Sequence, residues 1–136
     1  MVPGVAALLA VIAGPAAAML QCHHYDEMVA EATMVMQIAP TDVTGPDPAG
    51  NCTVTGTIVR SFKGPHPAGT LVGTMVPCDN PQMLIGATIW QDAAALRRAR
   101  IVELHIAPTG GPAGYGAGVL LLDAETDAPT LTSFCR

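Results

Sequence analysis

Two runs decide the fold: Cys52-Thr-Val-Thr-Gly-Thr-Ile-Val-Arg60 and Thr70-Leu-Val-Gly-Thr-Met-Val-Pro-Cys78. Both alternate along the chain, and both are rich in β-branched residues, which favour extended backbone. Between them, residues 61–69 carry Gly64, Pro65 and Pro67, the punctuation of a long hairpin loop. Symmetric pairing sets Arg60 opposite Thr70, Ile58 opposite Val72, Val54 opposite Val76 and Cys52 opposite Cys78. One face then collects Val54, Ile58, Val72 and Val76 as a core surface. The other collects Thr53, Thr55 and Thr57, with Leu71 and Met75 interrupting its polarity. A slip of one residue would turn every side chain over, so the apolar face specifies the register.

The four cysteines are Cys22, Cys52, Cys78 and Cys135. No C-x-x-C occurs, so paired staples are favoured over a metal or redox role. The hairpin predicts Cys52–Cys78, because directly opposed residues sit about 4.5–5.5 Å apart at Cα, within reach of a disulfide. The remaining pair, Cys22–Cys135, would tie the two ends of the domain together.

Upstream, residues 2–20 carry no charge. The run from Val5 to Ile12 is an apolar core, Gly14-Pro15 breaks it, and Ala16–Ala18 offers the small residues a signal peptidase requires. Cleavage is expected after Ala18, giving a signal peptide over 1–18 and a single exported domain over 19–136. The alternative is retention as an anchor, since such a stretch just reaches across a bilayer. No basic cluster follows to stop transfer. The expected location is extracytoplasmic, periplasmic or secreted, with no membrane association once the signal is removed.

The rest of the chain reads as further short elements. Residues 25–32 suggest a helix with Asp26 and Glu27 in its first turn, and residues 33–39 a strand. Residues 40–51, with Gly45, Pro46, Pro48 and Gly50, suggest a loop. Residues 83–90 form an ambiguous apolar stretch. Asp92 is placed to cap a short helix over 93–99. Residues 100–107 alternate, with Val102, Leu104 and Ile106 on a core face and Glu103 and His105 on what reads as a solvated one. Residues 116–123 suggest an apolar strand, and residues 130–135 a terminal one. The expected fold is mainly β: a small OB-like five-stranded barrel or a compact antiparallel sheet, with one or two short helices and two disulfides.

The early Cys22, the strand Gly56-Thr-Ile-Val-Arg-Ser-Phe-Lys-Gly64 with its Lys-Gly at a hairpin, and Cys78 closing the next strand resemble the netrin-module and tissue-inhibitor-of-metalloproteinase group. The resemblance covers about residues 22–90. It implies an OB-type fold and a protein-binding role, and it suggests Cys22–Cys78 as a rival pairing. In those inhibitors the mature chain begins with a cysteine whose amine chelates zinc. Here cleavage after Ala18 leaves Met19-Leu20-Gln21 ahead of Cys22, so no inhibitory residue carries over.

Net charge of −5 argues against nucleic acid and anionic membrane surfaces, which demand a basic footprint. A protein or a small ligand remains as partner. Cys22-His23-His24 is the candidate metal set, with two imidazoles suited to Cu²⁺ or Zn²⁺. On extended backbone, however, adjacent side chains point opposite ways. Glu103 and His105 share a strand face and are the candidate acid–base couple. Ser61 and Ser133, the two serines, lack a nucleophile-elbow setting. Gly114-Tyr-Gly-Ala-Gly118 has no following helix to hold a phosphate, so no cofactor is expected. Arg97, Arg98 and Arg100 read as a solvated helix end. Loops on a rigid scaffold commonly carry recognition. The surface around loops 61–69 and 108–115, with Lys63, His66 and Tyr115, is the candidate binding site. The leading reading is a binding or structural module. The others are a periplasmic metal-binding protein using His23 and His24, and an enzyme centred on Glu103 and His105.

Overall fold

The computed structural model describes residues 22–80, 86 and 88–131. Its elements run α1 (Cys22–Glu31), β1 (Met34–Thr44), β2 (Asn51–Lys63), β3 (Leu71–Pro77), α2 (Ala93–Arg98), β4 (Ile101–Ile106) and β5 (Val119–Leu122). The strands form one antiparallel sheet in the order β3-β2-β1-β4-β5. The sheet does not close into a barrel: β3 and β5 are its edges among the described residues.

The β2–β3 hairpin forms, and Cys52 is bridged to Cys78 with Cα atoms 5.6 Å apart. Its register differs from symmetric pairing by two residues: Cys52 lies opposite Val76, Val54 opposite Thr74 and Gly56 opposite Val72. The bridge is therefore diagonal. A two-residue slip preserves the alternation, so Val54, Ile58 and Val76 are still buried and Leu71 and Met75 still point outward. The cause is the turn. The amide of Ile58 donates to the Thr70 carbonyl and that of Gly69 to the Ile58 carbonyl, which closes the ladder early. Gly69 meets this geometry with φ of 93°. Beyond the turn, β2 continues as far as Lys63 by pairing with β1 instead.

β1 also exceeds its expected length. The strand runs through Pro40 to Thr44, in what the turn residues suggested was a loop, and pairs with residues 53–56 of β2. The ladder shifts between Pro40 and Asp42, and a bulge tolerates a residue with no N–H. Gly56 makes the close approach possible. A Cβ there would lie 2.5 Å from the Ala39 carbonyl oxygen.

α1 begins at Cys22, so Asp26 and Glu27 fall in its middle rather than its first turn. Tyr25, Met28 and Ala32 are buried, an i, i+3, i+7 stripe, with Tyr25 and Met28 packed with Ala113 and Leu131, while His23, His24, Asp26 and Glu27 face solvent. In α2 the Asp92 carboxylate accepts from the Ala94 amide at 3.1 Å, the expected cap. Leu96 is fully buried. Arg97 donates to the Gly45 carbonyl at 2.7 Å.

The main core lies on one face of the sheet and includes Met36, Ile38, Val54, Ile58, Val76, Leu96, Val102 and Leu104. A smaller cluster of Tyr25, Met28, Ala113 and Leu131 is separate from it. Residues 88–90 form no strand. The rest of the apolar stretch, apart from Gly86, lies outside the described residues, as do the expected signal segment, the 132–135 part of the expected terminal strand, and Cys135 of the expected Cys22–Cys135 bridge. No helix among the described residues is long and apolar enough to cross a membrane.

Candidate functional site

Glu103 and His105 do not form a solvated face. All six residues of β4 are buried, and both side chains have no solvent exposure. β4 is an inner strand between β1 and β5, and residues 125–131 cross over its polar side. This segment straps three strands in turn. Glu125 and Asp127 pair with Arg60 of β2 at 3.8 and 3.1 Å. The Gln37 amide of β1 accepts from the Thr126 main chain at 2.8 Å and donates to its hydroxyl at 2.6 Å. Thr130 and Leu131 then donate to Glu103 of β4.

Glu103 is the hub. Its Oε1 accepts from Gln37 Nε2 at 2.8 Å and the Thr130 amide at 2.9 Å. Its Oε2 accepts from His105 Nε2 at 2.8 Å, the Thr130 hydroxyl at 3.1 Å and the Leu131 amide at 3.2 Å. Burial alone would raise its pKa. The hydrogen bonds from His105, Gln37 and Thr130, with the charge interaction with His105, outweigh that and hold the carboxyl below its usual value. His105 Nε2 carries the hydrogen in this pair, and its Nδ1 is buried without a partner. The couple has acid–base geometry, but protein donors engage both carboxylate oxygens, and no described cavity is lined by either residue. What the arrangement does is hold the strap down.

Space for a ligand lies elsewhere. A cavity of about 180 Å³ is lined by Met34 and Met36 of β1, Val72, Gly73 and Thr74 of β3, and Leu104 and Ile106 of β4, with His66 and Gly110 from two loops. β3 and β4 are not neighbours in the sheet, so a cavity touching both requires the sheet to curl over β1. The ladder shifts along β1 supply the bends. The lining is mostly apolar. Thr74 breaks the inward row of Val72 and Val76, and its hydroxyl is buried without a hydrogen-bond partner. An open groove beside it runs between β3 and residues 109–111.

The cavity joins the two expected recognition loops through His66 and Gly110, both exposed. Lys63 is turned away, its ammonium donating to the Ala30 carbonyl at 3.1 Å. Tyr115 is 73% exposed, sits at φ of 55° with its carbonyl accepting from Ile89, and does not line the cavity. His23 and His24 stand on α1 with ring centroids 4.0 Å apart. Among the described residues no group of three or more His, Cys, Asp or Glu is placed to hold a metal ion. Sequence reasoning missed Thr74, whose signal was a hydroxyl inside an apolar row, and Gln37, whose signal was one amide in the apolar run Met34–Ala39.

No known family, curated protein or solved structure matches this chain.

Proposed function

We propose that this chain is an exported, OB-like binding module whose ligand enters between the β2–β3 hairpin loop and the loop after β4. The observation that carries this reading is the cavity beneath both loops, apolar inside and reached past exposed His66 and Gly110. Ligand sites typically combine a mostly apolar lining with a few placed polar groups. The strand order β3-β2-β1-β4-β5, with α2 in the β3–β4 connection, supports the OB-like reading: it is the order of that barrel opened between β3 and β5. The Cys52–Cys78 bridge is compatible with an oxidising compartment.

The test is site-specific photocrosslinking in the native extracytoplasmic fraction. A photoreactive residue at position 66 or 110 should yield a discrete adduct. One at Thr41 or Arg98, exposed positions away from the cavity lining, should not. Equal labelling at all four positions, or none at 66 and 110, refutes the reading.

A further inference from the structure

We infer that the outer edge of β3 takes up an extended, uncharged peptide segment as an added strand, with an aromatic residue opposite Gly73. This deepens the binding-module reading and rests on it: the peptide is the ligand that enters beside the loop after β4.

Backbone direction names the ligand. The Ile58 amide donates to the Thr70 carbonyl and the Cys78 amide to the Gly50 carbonyl. Residues 70 and 78 thus turn their main chain toward β2, and by alternation so do Val72, Thr74 and Val76. Leu71, Gly73 and Met75 point their N–H and C=O groups away from the sheet. All three are exposed, and no hydrogen bond among the described residues uses those groups. The next outward residue is already engaged: the Pro77 carbonyl accepts from the Gln91 amide at 2.8 Å. Gln91 Nε2 also donates to the Val119 carbonyl of β5 at 3.2 Å. Gln91 therefore bridges both sheet edges at one end of the gap and leaves Leu71–Met75 open. Extended peptides bind such an edge through main-chain hydrogen bonds.

The edge also lacks the devices that deter pairing, which are charges, bulges and proline. β3 pairs with β2 without a register shift, its one proline stands at its end, and residues 64–78 contain no Asp, Glu, Lys or Arg. The groove alongside is walled on its far side by Thr109, Gly110 and Gly111. That wall admits a single strand, not the edge of a second sheet. Residues 106–112 are equally free of charge, so an uncharged segment is the one that leaves no charge unpaired there. Gly73 sets the side chain. Leu71 and Met75, 65% and 50% exposed, flank it on the outer face, and a Cβ at Gly73 would meet no atom closer than 3.6 Å. A ring opposite Gly73 fills the gap between these apolar side chains, the cross-strand pairing that restores an edge glycine. Neighbouring residues of the added strand turn to the other face, toward the cavity that Val72 and Ile106 line, where apolar side chains fit.

The experiment titrates the folded, oxidised protein with the peptide Ac-Thr-Val-Tyr-Val-Thr-NH₂ and with a copy N-methylated at the tyrosine amide. The copy has the same side chains but lacks the N–H that meets Gly73. Amide NMR signals of Leu71, Gly73 and Met75 should move downfield saturably with the first peptide, and those of Val72 and Thr74, already bonded to β2, should move less. N-methylation should weaken binding about tenfold, the worth of one hydrogen bond. Gly73→Pro removes an outward N–H and no ladder bond. It should weaken the parent peptide by a similar factor, with near-UV circular dichroism confirming a native fold. The two-peptide comparison uses wild type alone, so misfolding of the variant cannot hide the result. No saturable shift, equal affinity of the two peptides, or unimpaired binding to natively folded Gly73→Pro overturns the inference. So does a dimer, seen by sedimentation without peptide, whose formation shifts the same three amides, because the edge would then belong to a second copy. If the inference falls while crosslinks at 66 and 110 persist, only the ligand class is wrong. If the crosslinks fail too, the binding-module reading falls with it.

Discussion

Replacing Glu103 by Gln changes one oxygen to an amide nitrogen and little else, yet it should be among the most damaging substitutions in the chain. The carboxylate accepts on both oxygens: from Gln37 and the Thr130 amide on Oε1, and from His105, the Thr130 hydroxyl and the Leu131 amide on Oε2. Whichever way the new amide lies, its NH₂ meets at least one group that can only donate, the Leu131 amide or Gln37 Nε2. Gln37 cannot simply rotate to help, because its oxygen already accepts from the Thr126 amide. At least one obligate donor loses its acceptor, the Leu131 amide in one orientation and Gln37 Nε2 in the other, while the Thr130 hydroxyl and the His105 ring can turn to accept. At about 1–3 kcal/mol for a stranded buried donor, the loss is about 1–3 kcal/mol, a substantial share of a total near 5–15 kcal/mol. Urea denaturation at pH 7 measures the loss, and amide hydrogen exchange locates it. Thr126, Thr130 and Leu131 should lose protection first, because the strap depends on this hub. The pH dependence gives a second check. The folded-state pKa of Glu103 is lowered, so its contribution is fully present above the unfolded value near 4.5 and is lost as pH falls through the folded value. Wild type should weaken on acidification below that point, and the gap to Glu103→Gln should close. A loss under about 1 kcal/mol at pH 7, with strap amides still protected, would refute the hub.

Non-reducing peptide mapping should recover Cys52 linked to Cys78, and replacing both by Ala should cost about 3–4 kcal/mol by chemical denaturation, since the bridge closes a loop with a separation of 26 residues. The same map should link Cys22 to Cys135. Gly56→Ala should destabilise by about 1–3 kcal/mol, because the added methyl meets the Ala39 carbonyl, a backbone atom that cannot rotate away; the shift in urea midpoint reads it. Asp92→Ala should cost about 1 kcal/mol through the lost cap on Ala94, by the same measurement. Exported protein should begin at Met19 by N-terminal sequencing. Recovery of residues 1–18 on membrane-bound chain would show an anchor instead.

Those features legible in the chain alone rest on residues close together in sequence. Alternation from Cys52 to Arg60 and from Leu71 to Val76 determined which side chains face the core, and two cysteines at the ends of one hairpin determined the disulfide. Asp92 ahead of a run of helix formers determined the α2 cap. Alternation has a period of two, however, and so cannot separate registers that differ by two. The Gly69–Ile58 turn made that choice. Pro40 signals a break locally, and only the pairing of β1 with β2 across a bulge kept the strand going. Glu103 and His105 carry the local pattern of a solvated face. They are buried because β1 and β5 flank their strand and the strap lies over them, held by Gln37, Thr126 and Thr130 at separations of 27 to 89 residues. The cavity was equally hidden from the chain, because β3 and β4 reach it from separate parts of a curled sheet. Burial and cavity alike depend on which distant segments meet, and no local period encodes that.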